Sequence, residues 1–374
     1  MRVPFSYLSR QFADVDAYLE AIREVVVRGD FTLGAAVAEF EQCFAALCQV
    51  PYAIGVNSGT DALFLSLKAL DIGPGDEVIT VPNTFIATVG AIVMTGARPV
   101  FVDVNEQYTL DVNRLEGVLT PRTKAIVPVH LTGNPADMPA IMAFARRHGL
   151  YVVEDAAQAI FAAIDGQPVG GWGDAGCFSL HPLKNLNVWG DGGVIVTRSA
   201  ELAERLRLLR NHGLVTRDEA RCFGYNSRLD TIQAVVANRL LPQVPALTAQ
   251  RIAHAQRLDA ALAELAPLIT IPPRRPNVRQ VFHTYVVQAA QRDRLLAYLR
   301  QQGIEAKVHY PIPLHLQAAA AHLGYRRGDF PVCEAQCQRI ITLPVHQHLS
   351  AAELEYMVHH VHRFYRRHAT AQCA

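Results

Sequence analysis

The sequence lacks any uninterrupted apolar run of the ~18–20 residues that a membrane-spanning helix needs. Its first residues, MRVPFSYLSRQF, also lack the long apolar stretch of a secretory signal peptide. An excess of one sign of charge is missing as well, because 35 Lys and Arg residues face 34 Asp and Glu residues. We therefore expect a cytoplasmic protein that binds neither a membrane nor nucleic acid.

Paired cysteines are also lacking. The seven cysteines are scattered without C-x-x-C spacing, so the sequence predicts neither a disulfide framework nor a zinc site. Histidines give the remaining hint of a metal, in the run HQH at 346–348 and at His359, His360 and His362. The last three lie on a predicted terminal helix with no carboxylate or cysteine at ligand spacing, and we expect no metal.

What the sequence does contain is an alternation of strand-like and helix-like segments from residue 35 to about residue 212. Continuous Val and Ile runs predict strands at 52–56, 77–81, 98–104, 124–131, 151–155, 177–180 and 193–197. Helical apolar spacing predicts helices at 60–70, 84–96 and 137–149. The alternation predicts the α/β class, with a mainly parallel central sheet covered by helices on both faces.

The pattern changes after about residue 228, where two long amphipathic helices precede a strand, a helix and another strand. A chain of 374 residues is also long for one hydrophobic core. We predict a large α/β domain over residues 1–245, which includes the N-terminal segment, and a smaller α+β domain over residues 246–374.

A glycine-rich run, Gly171–Gly176, spells G-x-G-x-x-G, and Asp191 follows it at the spacing of a ribose-binding acid. A dinucleotide fingerprint needs a strand before it and a helix that opens within it. Here the turn-like DGQPVG precedes the run and the strand-like CFSL follows it. We therefore interpret the run as a loop that enters a strand, and not as a nicotinamide site.

A single lysine, Lys184, stands in the stretch FSLHPLKNLNVWGDGG. A lysine beside apolar residues is often a surface residue with a buried stem, so a catalytic interpretation needs partners. Ser179 lies five residues before it and carries a hydroxyl for a shared ligand. Gly190, Gly192 and Gly193 let the chain turn tightly and re-enter the sheet.

Asp155 is a first partner, because it ends a predicted buried strand in VVEDAAQA. A buried carboxylate is costly unless it meets a cation, and a protonated pyridine nitrogen is such a cation. The alternative is a helix N-cap, which is the commoner use of an aspartate in this position. Gln158, three residues further on, is placed to face the same ligand.

The segment NSGTDALFLSL predicts a strand end followed by a helix. Gly59 permits close approach of the backbone, and Thr60 and Asp61 supply N–H groups at the helix start, where phosphates bind. The alternative is simple capping of the helix. An aldehyde for Lys184, a phosphate for the helix start and a ring nitrogen for Asp155 occur together in pyridoxal 5'-phosphate, which we predict as the cofactor.

The sequence resembles the DegT/DnrJ/EryC1/StrS family of sugar aminotransferases from residue 3 to about residue 345. Each matching block alone is modest, but together and in order they are specific. The blocks are FTLGAAVAEFE, GVNSGTDALFLSLKAL, GPGDEVITVPNTFIATVGAI, PVHLTGNPADM, VVEDAAQA, FSLHPLKNL followed by GDGG, GYNSRLDTIQA and HYPIPLHLQ.

The resemblance implies the fold of aspartate aminotransferase, fold type I of the pyridoxal-phosphate-dependent transferases. Lys184 would form a Schiff base with the cofactor and then move a proton between substrate and cofactor, while Asp155 would keep the pyridine nitrogen protonated. Phe85 would stack on the ring, and Gln158 would reach the ring hydroxyl. The residues implied to bind the phosphate are Thr60, Asp61 and Ser179.

The resemblance also implies a homodimer with shared active sites, in which Asn226 contacts the phosphate bound by the other subunit. His309, Tyr310 and His315 would lie near the sugar and the carboxylate of the amino donor. The implied reaction moves an amino group from an amino acid, such as L-glutamate, to a nucleotide-linked keto sugar in two ping-pong half-reactions.

Four alternatives stay open beside this reaction. The acceptor would be a cyclitol or a keto sugar without a nucleotide, or the chain would be a non-catalytic regulator that binds the cofactor in the same fold. A sugar dehydratase of the same family is disfavoured, since those enzymes have histidine where this chain has Lys184. A metal enzyme is disfavoured by the histidine spacing described above.

The chain departs from the family pattern near the lysine. Leu183 stands where a small or hydroxyl residue is common, and Asn187, Val188 and Trp189 replace smaller residues. Thr132 and Asn134 stand where Tyr and Gln are frequent. These departures leave the predicted chemistry in place and the identity of the sugar open.

Overall fold

A seven-stranded sheet forms the centre of the computed structural model, which describes residues 1–371. Its strand order is β1-β9-β8-β5-β4-β2-β3. The strands in this range are β1 Tyr52–Val56, β2 Glu77–Thr80, β3 Arg98–Phe101, β4 Thr123–Ile126, β5 Tyr151–Asp155, β6 Ala163–Ile164, β7 Gln167–Pro168, β8 Ala175–Ser179, β9 Gly193–Thr197, β10 Ile269–Thr270, β11 Val278–Arg279, β12 Tyr285–Ala289 and β13 Ile340–Leu343. Strands β8, β5, β4, β2 and β3 pair in parallel, and β9 runs antiparallel to both of its neighbours.

Helices cover both faces of this sheet. The α-helices are α1 Leu8–Gln11, α2 Val15–Arg28, α3 Ala35–Leu47, α4 Gly59–Ala69, α5 Ile86–Met94, α6 Met138–His148, α7 Ala200–Leu209, α8 Thr231–Leu240, α9 Val244–Ala263, α10 Arg292–Gln301, α11 Pro331–Arg339 and α12 Ala351–Ala371. Together with the sheet, they confirm the predicted α/β class with a mainly parallel centre.

The side chains of β9 show how the two faces are built. Val194 and Val196 pack in one apolar cluster with Phe44 of α3, whereas Ile195 packs in another with Leu65 of α4. Successive residues of a strand point to opposite faces, so a strand buried on both sides has to be apolar throughout. This requirement explains the continuous Val and Ile runs that identified the strands.

Local sequence signals set the ends of helix α6. The side chain of Asp137 accepts a hydrogen bond of 3.2 Å from the N–H of Ala140, which caps the first turn. Arg146 and Arg147 lie in the last turn, where cations interact favourably with the helix dipole. Gly149 ends the helix with φ of 64°, a left-handed conformation that suits glycine.

The observed bounds confirm most of the predicted elements within one or two residues. The exceptions are the predicted strands 98–104 and 124–131, because β3 ends at Phe101 and β4 ends at Ile126. Pro128 has no N–H to give to a neighbouring strand, and its carbonyl accepts from Asp155 instead. The chain then forms isolated contacts, such as the bridge between Val129 and Asp155, which carry it towards the ends of the strands.

The C-terminal part contains a three-stranded antiparallel sheet with the order β10-β12-β13. Leu258 of α9, Leu299 of α10 and Met357 of α12 form one apolar cluster against it, and Val3 of the N-terminal segment belongs to the same cluster. The domain division after residue 245 stays a prediction, since α9 already begins at Val244.

No helix among residues 1–371 combines the length and the apolar character needed to cross a bilayer. In the same range no three His, Cys, Asp or Glu side chains are grouped as metal ligands. Six cysteines in the described part are unpaired, and Cys373 lies outside it.

Candidate active site

A cavity of about 390 Å³ opens at the carboxyl ends of β5 and β8, beside the N-termini of α4 and α5. Open α/β sheets bind ligands at this edge. The residues that line the cavity include most of the predicted site, namely Gly59, Thr60, Phe85, Asp155, Gln158, Ser179, Lys184, His309 and Tyr310. The fold therefore brings together residues that are up to 251 positions apart in the chain.

Lys184 lies on the loop that leaves β8. Its N–H donates to the carbonyl of His181 at 2.8 Å, and its own carbonyl accepts from the phenol of Tyr7 at 2.8 Å. Loss of hydration lowers the pKa of the Lys184 amine to about 8, while the carboxylate of Asp155 acts in the opposite direction. About a tenth of the amine is therefore unprotonated at pH 7, and about half at pH 8.

Asp155 is the last residue of β5 and is 6% exposed. One carboxylate oxygen accepts from the hydroxyl of Thr88 at 2.7 Å, and the other accepts from the N–H of Ala157 at 3.2 Å. No α-helix begins in the turns after Asp155 among the described residues, which removes the N-cap alternative. Burial raises the pKa of Asp155, and Thr88, Ala157 and Lys184 oppose this effect.

The start of α4 forms one side of an anion cradle. The side chain of Ser58 caps the helix by accepting from the N–H of Asp61 at 3.0 Å. The carboxylate of Asp61 accepts from the hydroxyl of Ser227 at 2.7 Å, so Asp61 is directed away from the cavity. The N–H groups of Gly59 and Thr60 come before the first helical hydrogen bond and remain for a ligand.

Ser179, the last residue of β8, forms the other side of the cradle. Its hydroxyl oxygen accepts from the N–H of His181 at 3.3 Å, which leaves the hydroxyl hydrogen for a ligand. A Cβ on Gly59 would lie 2.7 Å from the Cβ of Ser179, closer than carbon atoms approach. Only glycine allows α4 to begin so close to Ser179.

Aromatic and amide groups border the rest of the cavity. Phe85 is 54% exposed, and its ring centroid lies 5.9 Å from that of Tyr310. The side-chain oxygen of Gln158 accepts from the N–H of Thr132 at 2.8 Å, so its amide group is held in place. His309 donates or accepts at Thr342, and burial lowers the pKa of His309 to about 4.

Three predicted site residues do not line the cavity of this single chain. Asp61 is held by Ser227, as described above. Asn226 is exposed on the loop after α7, where it forms a backbone bridge with Asn211. His315 is 2% exposed, and its Nε2 lies 3.0 Å from a carboxylate oxygen of Glu334.

Several residues that line the cavity were not predicted from the sequence: Ser58, Leu63, Thr84, Ala87, Thr88, Val129, Ala157, His181, Leu183, Asp191 and His283. Thr88 had a local signal, because it lies three residues after Phe85 in the first turn of a predicted helix. His283 had none, since it reaches the cavity from the C-terminal half. Leu183 borders the cavity, whereas Trp189 packs against Phe12 at 5.6 Å between ring centroids and does not.

The G-x-G-x-x-G run binds an anion of this chain. Glu154 is fully buried, and its carboxylate accepts from the N–H groups of Gly170, Trp172 and Gly173 at 2.7–2.9 Å. His130 lies 3.0 Å from the same carboxylate. The loop then enters β8, as expected from the sequence, and its N–H groups are not available to a dinucleotide.

The donor set of the cavity fits the predicted cofactor. A partly unprotonated amine at Lys184, a buried carboxylate at Asp155 and a cradle of N–H and O–H donors correspond to an aldehyde, a ring nitrogen and a phosphate. The cradle depends on the absence of a Cβ at Gly59, which is an observation independent of the cofactor.

Comparison with known proteins places the chain among transaminases. The family model described as the DegT/DnrJ/EryC1/StrS aminotransferase family matches residues 13–362. The chain is 42% identical over 372 residues to a protein of Geobacillus stearothermophilus named pleiotropic regulatory protein, covering 99% of this chain and 100% of that one. It is 43% identical over 354 residues to UDP-N-acetyl-3-dehydro-alpha-D-glucosamine 3-aminotransferase of Acidithiobacillus ferrooxidans, covering 94% and 95% of the two chains.

A solved structure is similar over nearly the whole chain. It is the crystal structure of S. venezuelae DesV in complex with a ketimine intermediate. The TM-score is 0.94 at 42% identity, and the match covers 97% of this chain and 98% of that one.

Proposed function

Since the chain belongs to the DegT/DnrJ/EryC1/StrS aminotransferase family, we propose that it transfers an amino group from an amino acid, such as L-glutamate, to a nucleotide-linked keto sugar. The observation that carries the proposal is the cavity in which the amine of Lys184 faces the carboxylate of Asp155 beside an anion cradle. The relative from Acidithiobacillus ferrooxidans, named for a UDP-linked 3-keto sugar, supports the class of acceptor.

Lys184 carries out the proton transfers in this proposal. When bound, pyridoxal phosphate supplies an aldehyde for the amino group and a ring that delocalises the electrons left on the substrate carbon. The pKa of Lys184, about 8, leaves part of its amine unprotonated near pH 7–8, so the amine can act as nucleophile and as base. Its position at the cavity wall lets it move a proton at the substrate carbon.

Asp155 would keep a proton on the ring nitrogen of the bound cofactor. Burial disfavours the charged form of Asp155, and a cationic ring nitrogen is the partner that stabilises it. Thr88 fixes one oxygen of Asp155, and Thr84 lies 2.8 Å from the hydroxyl of Thr88. This chain of hydroxyl groups orients the carboxylate towards the cavity.

The N–H groups of Gly59 and Thr60 and the hydroxyl of Ser179 would hold the phosphate of the cofactor. Asp61 contributes indirectly, since its carboxylate holds Ser227, the neighbour of Asn226. Phe85 and Gln158 line the same cavity, where Phe85 would pack on the ring of the cofactor and Gln158 would bind its ring hydroxyl. His309 and Tyr310 border the space left for the sugar and the amino donor.

A homodimer completes the site in this proposal. Phe223 is fully exposed, and Phe85 and Met94 are more than half exposed in the single chain. Exposed apolar side chains that adjoin one another mark an interaction surface, and a second subunit that covers these residues would account for their exposure. Asn226 lies three residues after Phe223 on the same exposed loop, and light scattering should give twice the mass of the chain.

A non-catalytic regulator is a second candidate, favoured by the name of the relative from Geobacillus stearothermophilus. A regulator needs to bind the cofactor but has no need of an amine that can move protons. The lowered pKa of Lys184 beside Asp155 favours the enzyme.

The test is glutamate-dependent amination of UDP- and dTDP-linked 3-keto and 4-keto hexoses, with a keto cyclitol in the same panel. The purified protein should be yellow, lose its absorption band on addition of glutamate, and regain it with one nucleotide-linked sugar. If glutamate removes the absorption band and only the keto cyclitol restores it, the acceptor is a cyclitol and not a nucleotide-linked sugar. A band that glutamate does not change would favour the regulator.

A further inference from the structure

Arg251 of α9 is a buried cation without a carboxylate partner. It is 1% exposed, and no ion pair among residues 1–371 includes it. Its Nε donates to the side-chain oxygen of Gln347 at 2.9 Å, and its Nη1 donates to the carbonyls of Phe282 at 3.1 Å and His283 at 3.4 Å. Its Nη2 has no hydrogen-bond partner among the described residues. Burying a charge without a countercharge is costly, so its contacts call for an explanation.

The guanidinium of Arg251 lies against the ring of Tyr7, with its central carbon 5.1 Å from the ring centroid. A cation over an aromatic face is favourable, more so where water is excluded. Tyr7 is 3% exposed and lies just before α1. Its hydroxyl donates to the carbonyl of Lys184 at 2.8 Å.

The acceptor of the hydrogen bond from Tyr7 is the backbone carbonyl of the catalytic lysine itself. Residues 180–192 contain no helix or strand, so no ladder of backbone bonds holds this loop. Burial raises the pKa of Tyr7, which keeps its phenol protonated and able to donate at neutral pH. The carbonyl of Lys184 therefore receives a permanent donor from a segment 177 residues away.

A second attachment reaches the same loop by side chains. Gln347, which accepts from Arg251, also donates to Gln11, and Gln11 donates to Asn187 at 2.8 Å. Asn187 in turn donates to the carbonyl of Pro182. Both attachments begin at Arg251. The first ends on the carbonyl of Lys184 itself, and the second ends on Asn187 and Pro182, which lie on either side of it.

We propose that Tyr7, supported by Arg251, is a positioning residue that holds the backbone of Lys184 so that its amine stays inside the cavity. The proposal rests on the proposed function, because it concerns the same lysine. The flexible four-carbon stem of a lysine does not fix its amine by itself, so the amine depends on a fixed backbone, and a misplacement of about 1 Å is costly for a reacting group. Arg251 carries the same restraint to the carbonyl of His283, whose side chain lines the cavity.

The test is Tyr7→Phe, which removes the hydroxyl and keeps the ring over Arg251. Tyr365→Phe is the matched control, because Tyr365 is 5% exposed and donates at 2.7 Å to the carbonyl of Ala290, in the apolar cluster of the C-terminal sheet. Both variants lose one buried phenol-to-carbonyl hydrogen bond. Only Tyr7→Phe loses it at the lysine.

The first readout is the rate at which Lys184 is acetylated across a pH series in full-length protein dialysed free of cofactor, followed by mass spectrometry of its peptide. The wild type should show a midpoint near pH 8. In Tyr7→Phe the amine gains water, and the midpoint should move towards the ordinary value of 10.5. A midpoint near 9 would lower the acetylation rate at pH 8 by ~5-fold.

The neighbouring histidines do not confuse this titration. His181, His283 and His309 border the cavity with Lys184, and their pKa values are lowered by burial and by the lysine charge. They are therefore mostly neutral above pH 7. Burial raises the pKa of Tyr310, which also lines the cavity, to about 12, so the transition between pH 7 and 11 reports Lys184 and not these neighbours.

The second readout is the affinity for pyridoxal phosphate, measured by titration of its absorption band. Tyr7→Phe should bind several-fold more weakly than both the wild type and Tyr365→Phe. Gln11→Ala, a milder variant that cuts the second attachment, should shift the acetylation midpoint in the same direction by less.

A purely structural role for Tyr7 predicts a different result, in which both tyrosine variants melt earlier and keep the wild-type midpoint and affinity. That result overturns the proposal. If Tyr7→Phe does not fold, an unshifted acetylation midpoint in Gln11→Ala overturns it instead. The acetylation series needs no cofactor, so its result does not depend on whether the proposed function is correct. A wild type that shows the midpoint near 8 but binds no pyridoxal phosphate overturns the function and not the positioning.

Discussion

Gly59 is the position at which one added carbon should damage the site most selectively. In Gly59→Ala the new Cβ would lie 2.7 Å from the Cβ of Ser179 and 3.2 Å from its Cα. Ordinary contact begins at 3.4 Å, so the start of α4 and the end of β8 have to separate by about 0.7 Å. The proposed phosphate donors lie on both sides of that contact.

The cost should appear in cofactor binding more than in folding. A hydrogen bond to a charged group is worth about 1.5–3 kcal/mol, and losing one corresponds to a roughly 10- to 150-fold loss of affinity. Overpacking costs about 1–3 kcal/mol of folding free energy, and the better helix propensity of alanine returns up to about 1 kcal/mol. The free energy of unfolding should therefore fall by at most about 3 kcal/mol.

The assay is titration of the protein with pyridoxal phosphate, followed by absorbance, together with urea unfolding of the protein without cofactor. Gly117→Ala is the control, since Gly117 is exposed in a short helical turn and its added Cβ meets no atom within 4 Å. Gly117→Ala should keep the affinity of the wild type. If Gly59→Ala also keeps it within about threefold, the contact between α4 and β8 is not the phosphate seat.

Three further outcomes are expected. Lys184→Ala should lower glutamate-dependent amino transfer by ~10²–10⁴-fold or more and keep the wild-type melting temperature within a few degrees, as measured by calorimetry; ordinary turnover would contradict its role. Glu154→Gln should lower the free energy of unfolding in urea by about 3 kcal/mol or more, because the new amide NH₂ would face buried N–H donors. The control Glu116→Gln, at an exposed residue, should change it by less than about 1 kcal/mol. Arg10 lowers the pKa of Glu353 from 4.5 to about 2, so this pair stabilises the fold above pH 4.5 and loses its effect as the pH falls towards 2. Glu353→Gln should be about 1–2 kcal/mol less stable at pH 7, and urea curves should show the difference shrinking below pH 4.5; a constant difference would contradict the assigned pair.

Local patterns predicted most of the strands and helices, and they also predicted the residues of the proposed site. A strand buried on both faces has to be apolar throughout, and a ligand site of an open α/β sheet lies where such strands end. Asp155 and Ser179 end two of them, and Gly59 begins the helix that follows a third. These residues could be identified because each lies at the boundary of an element that the sequence itself marks.

Residues that hold the reacting groups in place had no comparable signal. Tyr7 reaches Lys184 across 177 positions, and Arg251 reaches Gln347 across 96 positions. Neither lies at the boundary of a predicted strand of the central sheet. Their role depends on which distant segments become neighbours, and periodicity within a window of a dozen residues carries no information about that.

The two glycine-rich segments show how far local information extends. Both present backbone N–H groups that can bind an anion, one at the start of α4 and one in the loop over residues 170–173. In the loop the anion is Glu154 of the same chain, which arrives from the neighbouring strand β5. At α4 the carboxylate of Asp61 is held by Ser227, so the N–H groups of Gly59 and Thr60 face the cavity. An anion-binding segment is therefore visible in the sequence, but whether it binds a ligand depends on whether the fold has already supplied a carboxylate.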